Sequence, residues 1–431
     1  MATVVPQGTA GKRSKGKKVG GLIAVVALLG AGGFAVSKIV AGDEGGASNP
    51  SEVGTRLMDS LEAEDALGVV DLLLPGERDT MRQPLIDFVN HMKRLKIVDE
   101  SASLDKVGGI DLSFDGVHVE ETPTNVDDVS DIHITATGTA SVNGDTVPIG
   151  DLLIAEAFGG KRPDLDSEPQ TSPIDWNLAT VQRDGRWYLS AFYSLAENAR
   201  QGADIPETGV PLRGSSTPED AVRTMLDAVS DLDVEGLIGA LNPNEAEALQ
   251  RYAPIFLDEA TQGLDDADPG INITNLKLSV TGDGDRRTVT LDEFTINAGS
   301  GDDAVSVERK DGCTVVTSGG DTTNTCETGA SIMTAIDGFG LDENGELKAF
   351  ITTVSNAFAD MKPAGITVQR VDGQWYVSPI GTFADIVLNA LAALDNQELT
   401  DIIDGAKKLA DSVLTDGLFG DTSLVGSSDS G

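Results

Sequence analysis

Catalysis needs ionisable side chains that converge, and this chain of 431 residues has only three His and two Cys. His91 lies in the helical stretch FVNHMKRL, whereas His118 (GVHVE) and His133 (DIHIT) fall on alternating, strand-like segments. Two strand histidines can meet on neighbouring strands, which makes His118 and His133 the best available candidates for a general base. The competing reading puts each on the polar face of its strand. We adopt that reading, assign no catalytic residue and expect no enzyme. The half of the chain after Pro218 contains no His, so no His mechanism is shared by both halves.

Metal and phosphate chemistry are no better served. LDDADPG, TGDGDRR, GSGDD and LDENGE are acidic, but none follows the alternating calcium-loop pattern. LDENGELKAFI comes closest, with Gly340 where the first carboxylate belongs and Ile351 where the closing Glu belongs. These clusters read as turns and caps. Phosphate loops, HExxH motifs and nucleophile elbows are absent. No metal and no cofactor is expected.

Cys313 and Cys326 bound CTVVTSGGDTTNTC, whose midpoint falls between Gly319 and Gly320. A Gly-Gly pair suits a two-residue hairpin loop, where both positions need positive φ. Folding there makes 317–322, 315–324 and 313–326 the close, non-hydrogen-bonded pairs. The parity predicts a structural disulfide between Cys313 and Cys326.

The net charge is −39, which opposes nucleic acid as a partner. It is unevenly spread. Lys12, Arg13, Lys15, Lys17, Lys18 and Lys38 are six of the 31 basic residues and precede every acidic one. An apolar run, VGGLIAVVALLGAGGFAVSKIVA, follows the basic cluster. Its length predicts a transmembrane helix over 19–41 with a basic cytoplasmic tail at 1–18 and an extracytoplasmic remainder. The alternative is a cleaved signal peptide and a secreted protein.

The elements that would position any site come in duplicate. NPSEVGTRLMDSLEAEDALGVVDLLLPGE from Asn49 aligns without a gap on TPEDAVRTMLDAVSDLDVEGLIGALNPNE from Thr217. Both read as capped helices, with Pro75 and Pro243 ending a short second helix. Strand-like alternation follows in each copy, closing in TVQRDGRWYLS (180–190) and TVQRVDGQWYVS (367–378). Asp184-Gly185 predicts a hairpin pairing Gln182 with Trp187. A three-residue loop at 371–373 predicts the same register for Gln369 and Trp375. Gly185, Trp187, Tyr188, Gly373, Trp375 and Tyr376 are thus structural hairpin residues.

Helices followed by an antiparallel sheet that ends in a DG-x-W hairpin resemble the nuclear-transport-factor-2-like superfamily, the cystatin-like cone fold. The resemblance implies an α+β protein with tandem cones of an exported, membrane-anchored bacterial kind. A linker over 42–49 precedes a first cone at 50–201. A Gly/Pro/Ser linker (202–216), a second cone with a disulfide ribbon (217–416) and a disordered tail (417–431) follow. It implies a binding or scaffolding protein on the outer face of a cytoplasmic membrane, with a protein partner or small apolar ligand. The alternative is a carrier or isomerase-like protein that holds an apolar molecule in the cone cavity.

Overall fold

The computed structural model describes residues 45–200, 202–267, 269–299, 304–325, 345–358, 361 and 365–416. Helix α1 (Pro50–Glu62) starts where Asn49 accepts the Glu52 N–H at 2.9 Å and Pro50 fills the first turn. Asp65 then caps α2 (Ala66–Asp71) by accepting the Gly68 N–H at 2.7 Å. A Cβ on Gly68 would lie 2.5 Å from that carboxylate, so the tight cap requires Gly. Pro75 opens α3 (Pro75–Arg94) instead of closing the helix before it. Its fixed φ and missing N–H suit a first helical turn, and this corrects the sequence expectation.

Four antiparallel strands follow in the order β1 (Ile110–Pro123), β2 (Val129–Val142), β3 (Gln170–Arg183) and β4 (Arg186–Ser190). A short α4 (Asp151–Glu156) sits between β2 and β3, and α5 (Ala191–Ala199) leaves β4. Asp184 and Gly185 have φ of 51° and 78°, and Gln182 pairs with Trp187.

The second half repeats this plan with α6 (Pro218–Ser230), α7 (Val234–Gly239) and α8 (Pro243–Tyr252). Thr217 and Asp233 cap the first two, and Pro243 opens the third as Pro75 does. A 3-10 turn (Ala253–Ile255) and α9 (Leu257–Ala267) lead to β5 (Asn272–Thr281) and β6 (Arg286–Ala298). Next come β7 (Val305–Lys310), β8 (Cys313–Ser318), β9 (Asp321–Thr325) and α10 (Gly345–Ala357). The chain closes with β10 (Ile366–Val371), β11 (Gln374–Val377), α11 (Pro379–Ala393) and α12 (Asn396–Asp416). The sheet order is β11-β10-β6-β7-β8-β9, with β5 on the other edge of β6.

In the second closing hairpin Asp372 and Gly373 have φ of 49° and 82°, and Val371 pairs with Gln374. The loop has two residues, not three, so Arg370 and not Gln369 faces Trp375. The preference of Asp-Gly for the same tight turn outweighed the sequence identity of the two strings.

Each closing strand is tied to the chain before its own first helix. Ala47 exchanges both backbone bonds with Trp187, and Ser215 does the same with Trp375. Inside the first sheet, Leu57, Ile132, Ile134 and Leu189 fill the concave face against α1. Val222, Val289, Val368 and Trp375 fill the second. The helix-facing side of both sheets is therefore packed with side chains near the closing hairpins.

One expectation needs correction, and another reaches the edge of the described residues. No helix among the described residues is long and apolar enough to cross a membrane, and the 19–41 segment lies outside those residues. The single-pass membrane anchor, and the topology and localisation that rested on it, are thus unsupported. The β8–β9 hairpin does turn at Gly319-Gly320, pairing Thr317 with Thr322 and Val315 with Asn324. Cys313 is disulfide-bonded, and Cys326, its expected partner, lies outside the described residues. Among the described residues the ladder runs as far as the pair Thr314 and Thr325, next to Cys313.

Candidate functional site

His118 and His133 do lie on one face of adjacent strands, since His118 pairs with Thr135 and Glu120 with His133. His133 Nε2 is 2.9 Å from Asp175 Oδ1 on β3. His133 and Asp175 are both solvent-accessible, so a substrate bound beside them would stay hydrated. His91 sits on α3 beside Arg94, and burial together with that cation pushes its pKa down. No group of three or more potential metal ligands occurs among the described residues. Tyr188, Trp375 and Tyr376 are buried in the closing hairpins, and Trp187 packs against the first core.

The concentrated polar chemistry lies where the halves meet, and sequence reasoning did not find it. Gly76 of α3 packs against Asn244 of α8, and a Cβ on Gly76 would lie 2.7 Å from the Asn244 carbonyl oxygen. These two positions match in the duplicated helices, so the halves face each other about an approximate two-fold. Helix α5 packs on α8, and α11 packs on α3.

Tyr193 on α5 is fully buried and meets Tyr252 edge-to-face, with centroids 5.7 Å apart and planes at 82°. Its hydroxyl donates to Glu247 at 3.3 Å. Burial, then the Glu247 charge, pushes its pKa up to about 12. Arg251 donates to both Asp128 oxygens, at 2.6 and 3.0 Å, and Arg183 bridges Asp128 and Glu247. Arg200 holds Glu197 at 2.6 Å, and the Tyr252 hydroxyl also donates to Glu197. Asp131 is pushed up to about 6 by burial and then by Glu197. Asp128, Glu197 and Glu247 each accept from at least two donors, so none is free to act as a base. This arrangement joins α5 to α8 and to the first sheet.

Two further carboxylates are buried one turn into α3 and α8. Glu77 accepts from Ser190 Oγ and, at 2.9 Å, from the Ala191 N–H at the start of α5. Glu245 accepts from Ser378 Oγ and, at 2.9 Å, from the Ile380 N–H at the start of α11. Each caps the helix that leaves the sheet, where the helix dipole favours an anion. Burial raises the pKa of both.

Above this interface an apolar groove of about 540 Å³ opens between α5 and α8. Phe192, Leu195 and Ala196 form one wall, and Leu249, Tyr252 and Phe256 form the other. Leu195 is 68% exposed, Leu249 40%, Ile255 38% and Phe256 36%. Arg200 and Glu245 also line the groove, and both are engaged in the contacts above. The sequence signal was present: Leu249, Tyr252 and Phe256 recur at helical spacing across α8 and the turn after it. It was not separable from an ordinary core stripe.

No family model matches this chain, and no curated protein matches it. Among solved structures it is similar to an "Ntf2 like protein involved in plasmid conjugation" at 12% identity. That match covers 63% of this chain and 94% of the other, with a TM-score of 0.14. The likeness is loose, and nothing about fold or function follows from it.

Proposed function

We propose that this chain is a non-catalytic binding protein whose recognition surface is the apolar groove between α5 and α8. The exposure of Leu195, Leu249, Ile255 and Phe256 on one concave surface carries the reading. Exposed large apolar side chains gathered in a groove mark interaction sites, whereas scattered ones are ordinary. A site inside either cone finds less support, because Ile132, Ile134, Val289 and Val368 are fully buried in those interiors. A carrier of a small apolar molecule is the second reading, favoured by a groove volume within the usual range for such ligands.

The test is an apolar fluorophore. Nile red emission should rise with the wild-type chain and fall back for Leu195→Ser combined with Phe256→Ser. Both positions are solvent-accessible, so the variant should keep its far-UV circular dichroism. Equal emission from wild type and variant would reject the groove as the binding surface.

A further inference from the structure

Resting on that reading, we infer that the groove receives an amphipathic helix with a basic flank, presented by a partner protein. The first argument comes from the molecule's own approximate symmetry. On the opposite side α11 runs along α3 well beyond the point equivalent to the end of α5. Its Leu391 packs with Phe88 and Met92, and Leu394 packs with Leu95. Arg94 of α3 caps its end by donating to the Leu391 and Leu394 carbonyls at 2.5 and 2.9 Å. Around the groove, α5 stops at Ala199, and the chain beyond turns away to bury Ile205 beside Asn125. The track that a helix covers on one side is thus open on the other.

Shape agrees with this. Two helix faces meeting at an angle offer apolar ridges at helical spacing, and a third helix fits the channel between them.

Charge selects the flank. The first turn of α9, just after Phe256, presents exposed Asp258 and Glu259. No Lys or Arg occurs from Tyr252 to Leu276 to offset them: the next basic residue after Arg251 is Lys277.

 Arg200, the cation lining the groove, is already neutralised by Glu197 and Asp131. The rim is therefore acidic on a chain whose net charge is −39, and a cationic partner is drawn to it.

The experiment is fluorescence anisotropy of the full chain with a labelled Leu/Lys peptide of roughly 18 residues, patterned as an amphipathic helix. Controls are a scrambled peptide of the same composition and a Leu/Glu peptide of the same pattern. The Leu/Lys peptide should bind, and Leu195→Ser with Phe256→Ser should weaken it by about 10-fold or more, as loss of two apolar anchors does. Asp258→Lys with Glu259→Lys should weaken it while leaving the Nile red signal unchanged. Equal binding of the scrambled or the Leu/Glu peptide overturns the inference, as does equal binding by the Leu195/Phe256 variant. Nile red binding without peptide binding overturns the helix and leaves the groove reading standing. Loss of both rejects both. A concentration-dependent dimer that the Leu195/Phe256 variant abolishes would assign the groove to a second copy, and that also overturns the inference.

Discussion

The same face of the two sheets, beside the closing hairpin, is apolar in the first half and polar in the second. In the first, Leu74, Val129, Val181 and Tyr188 pack with Tyr193, Ala248 and Tyr252 across the interface. In the second, the positions matching Leu74 and Val181 hold Asn242 and Gln369, joined by a 2.8 Å hydrogen bond. Arg286 on the same face bonds Asp385 at 2.7 Å. The position of Tyr193 is taken by Gly381, where a Cβ would lie 2.3 Å from Ser378 Oγ. One scaffold therefore tolerates either chemistry, provided each buried polar group finds a partner.

The buried glutamates show the compensation in detail. Glu77 has the Ala191 N–H to accept from, but Pro379 stands at the matching position and has no N–H to give. Asn242 Nδ2 donates to Glu245 at 3.1 Å instead, where the first half has Leu74. The loss of a backbone donor and the gain of a side-chain donor occur around the same carboxylate.

Removing the aromatic pivot should have the largest effect. Tyr193→Ala deletes a fully buried ring that touches both halves, and should destabilise by about 3–5 kcal/mol. Because Tyr193 and Tyr252 belong to one core, wild type should unfold in a single calorimetric transition. Two separate transitions, with only the first shifted in the variant, would show that the halves are energetically independent.

Removing a buried acceptor should come next. Glu77→Ala and Glu245→Ala each strand buried donors and should lower stability by about 3 kcal/mol in denaturant titrations. The sign of the pH dependence is fixed by the raised pKa values. A carboxyl with a folded pKa above its unfolded value contributes most to stability in acid, and loses that contribution as pH rises from the ordinary value of 4.5 through the folded one. Glu77→Gln should flatten the stability profile in that window; a profile unchanged from wild type would reject the assignment.

The smallest effect sharpens the comparison itself. Asn242→Leu leaves Gln369 and Glu245 each short of a donor and should cost about 1–2 kcal/mol. Adding Gln369→Val installs the first half's apolar pair and should recover part of that loss. A double-mutant cycle measures the coupling. Strict additivity would mean that the two side chains do not act as a pair.

Much of this fold is legible in the chain because its signals are local. Asn49, Asp65, Thr217 and Asp233 cap the helices through bonds to residues three positions away. Asp184-Gly185 and Asp372-Gly373 set their turns from two residues each. The candidate site was not legible in the same way. Glu77 and Ser190 are 113 residues apart, and Tyr193 and Glu247 are 54 apart, so nothing local marks them as partners.

Even the repeated string misleads beyond its turn. Counted from the Asp-Gly loop, Val181 pairs with Tyr188 and Gln369 with Tyr376, so the two TVQR segments are offset by one residue in the sheet. A shift of one along a strand turns every side chain to the opposite face. Thr180 accordingly bonds the Ser130 carbonyl while Thr367 bonds Asp385. Sequence alone determined the duplicated helices, their caps and the first tight turn, each set within a few residues, whereas the second turn was expected one residue too long. Only the tertiary structure decided which face meets the other half, where α5 stops and what stays uncovered, because those depend on packing between segments far apart in the chain.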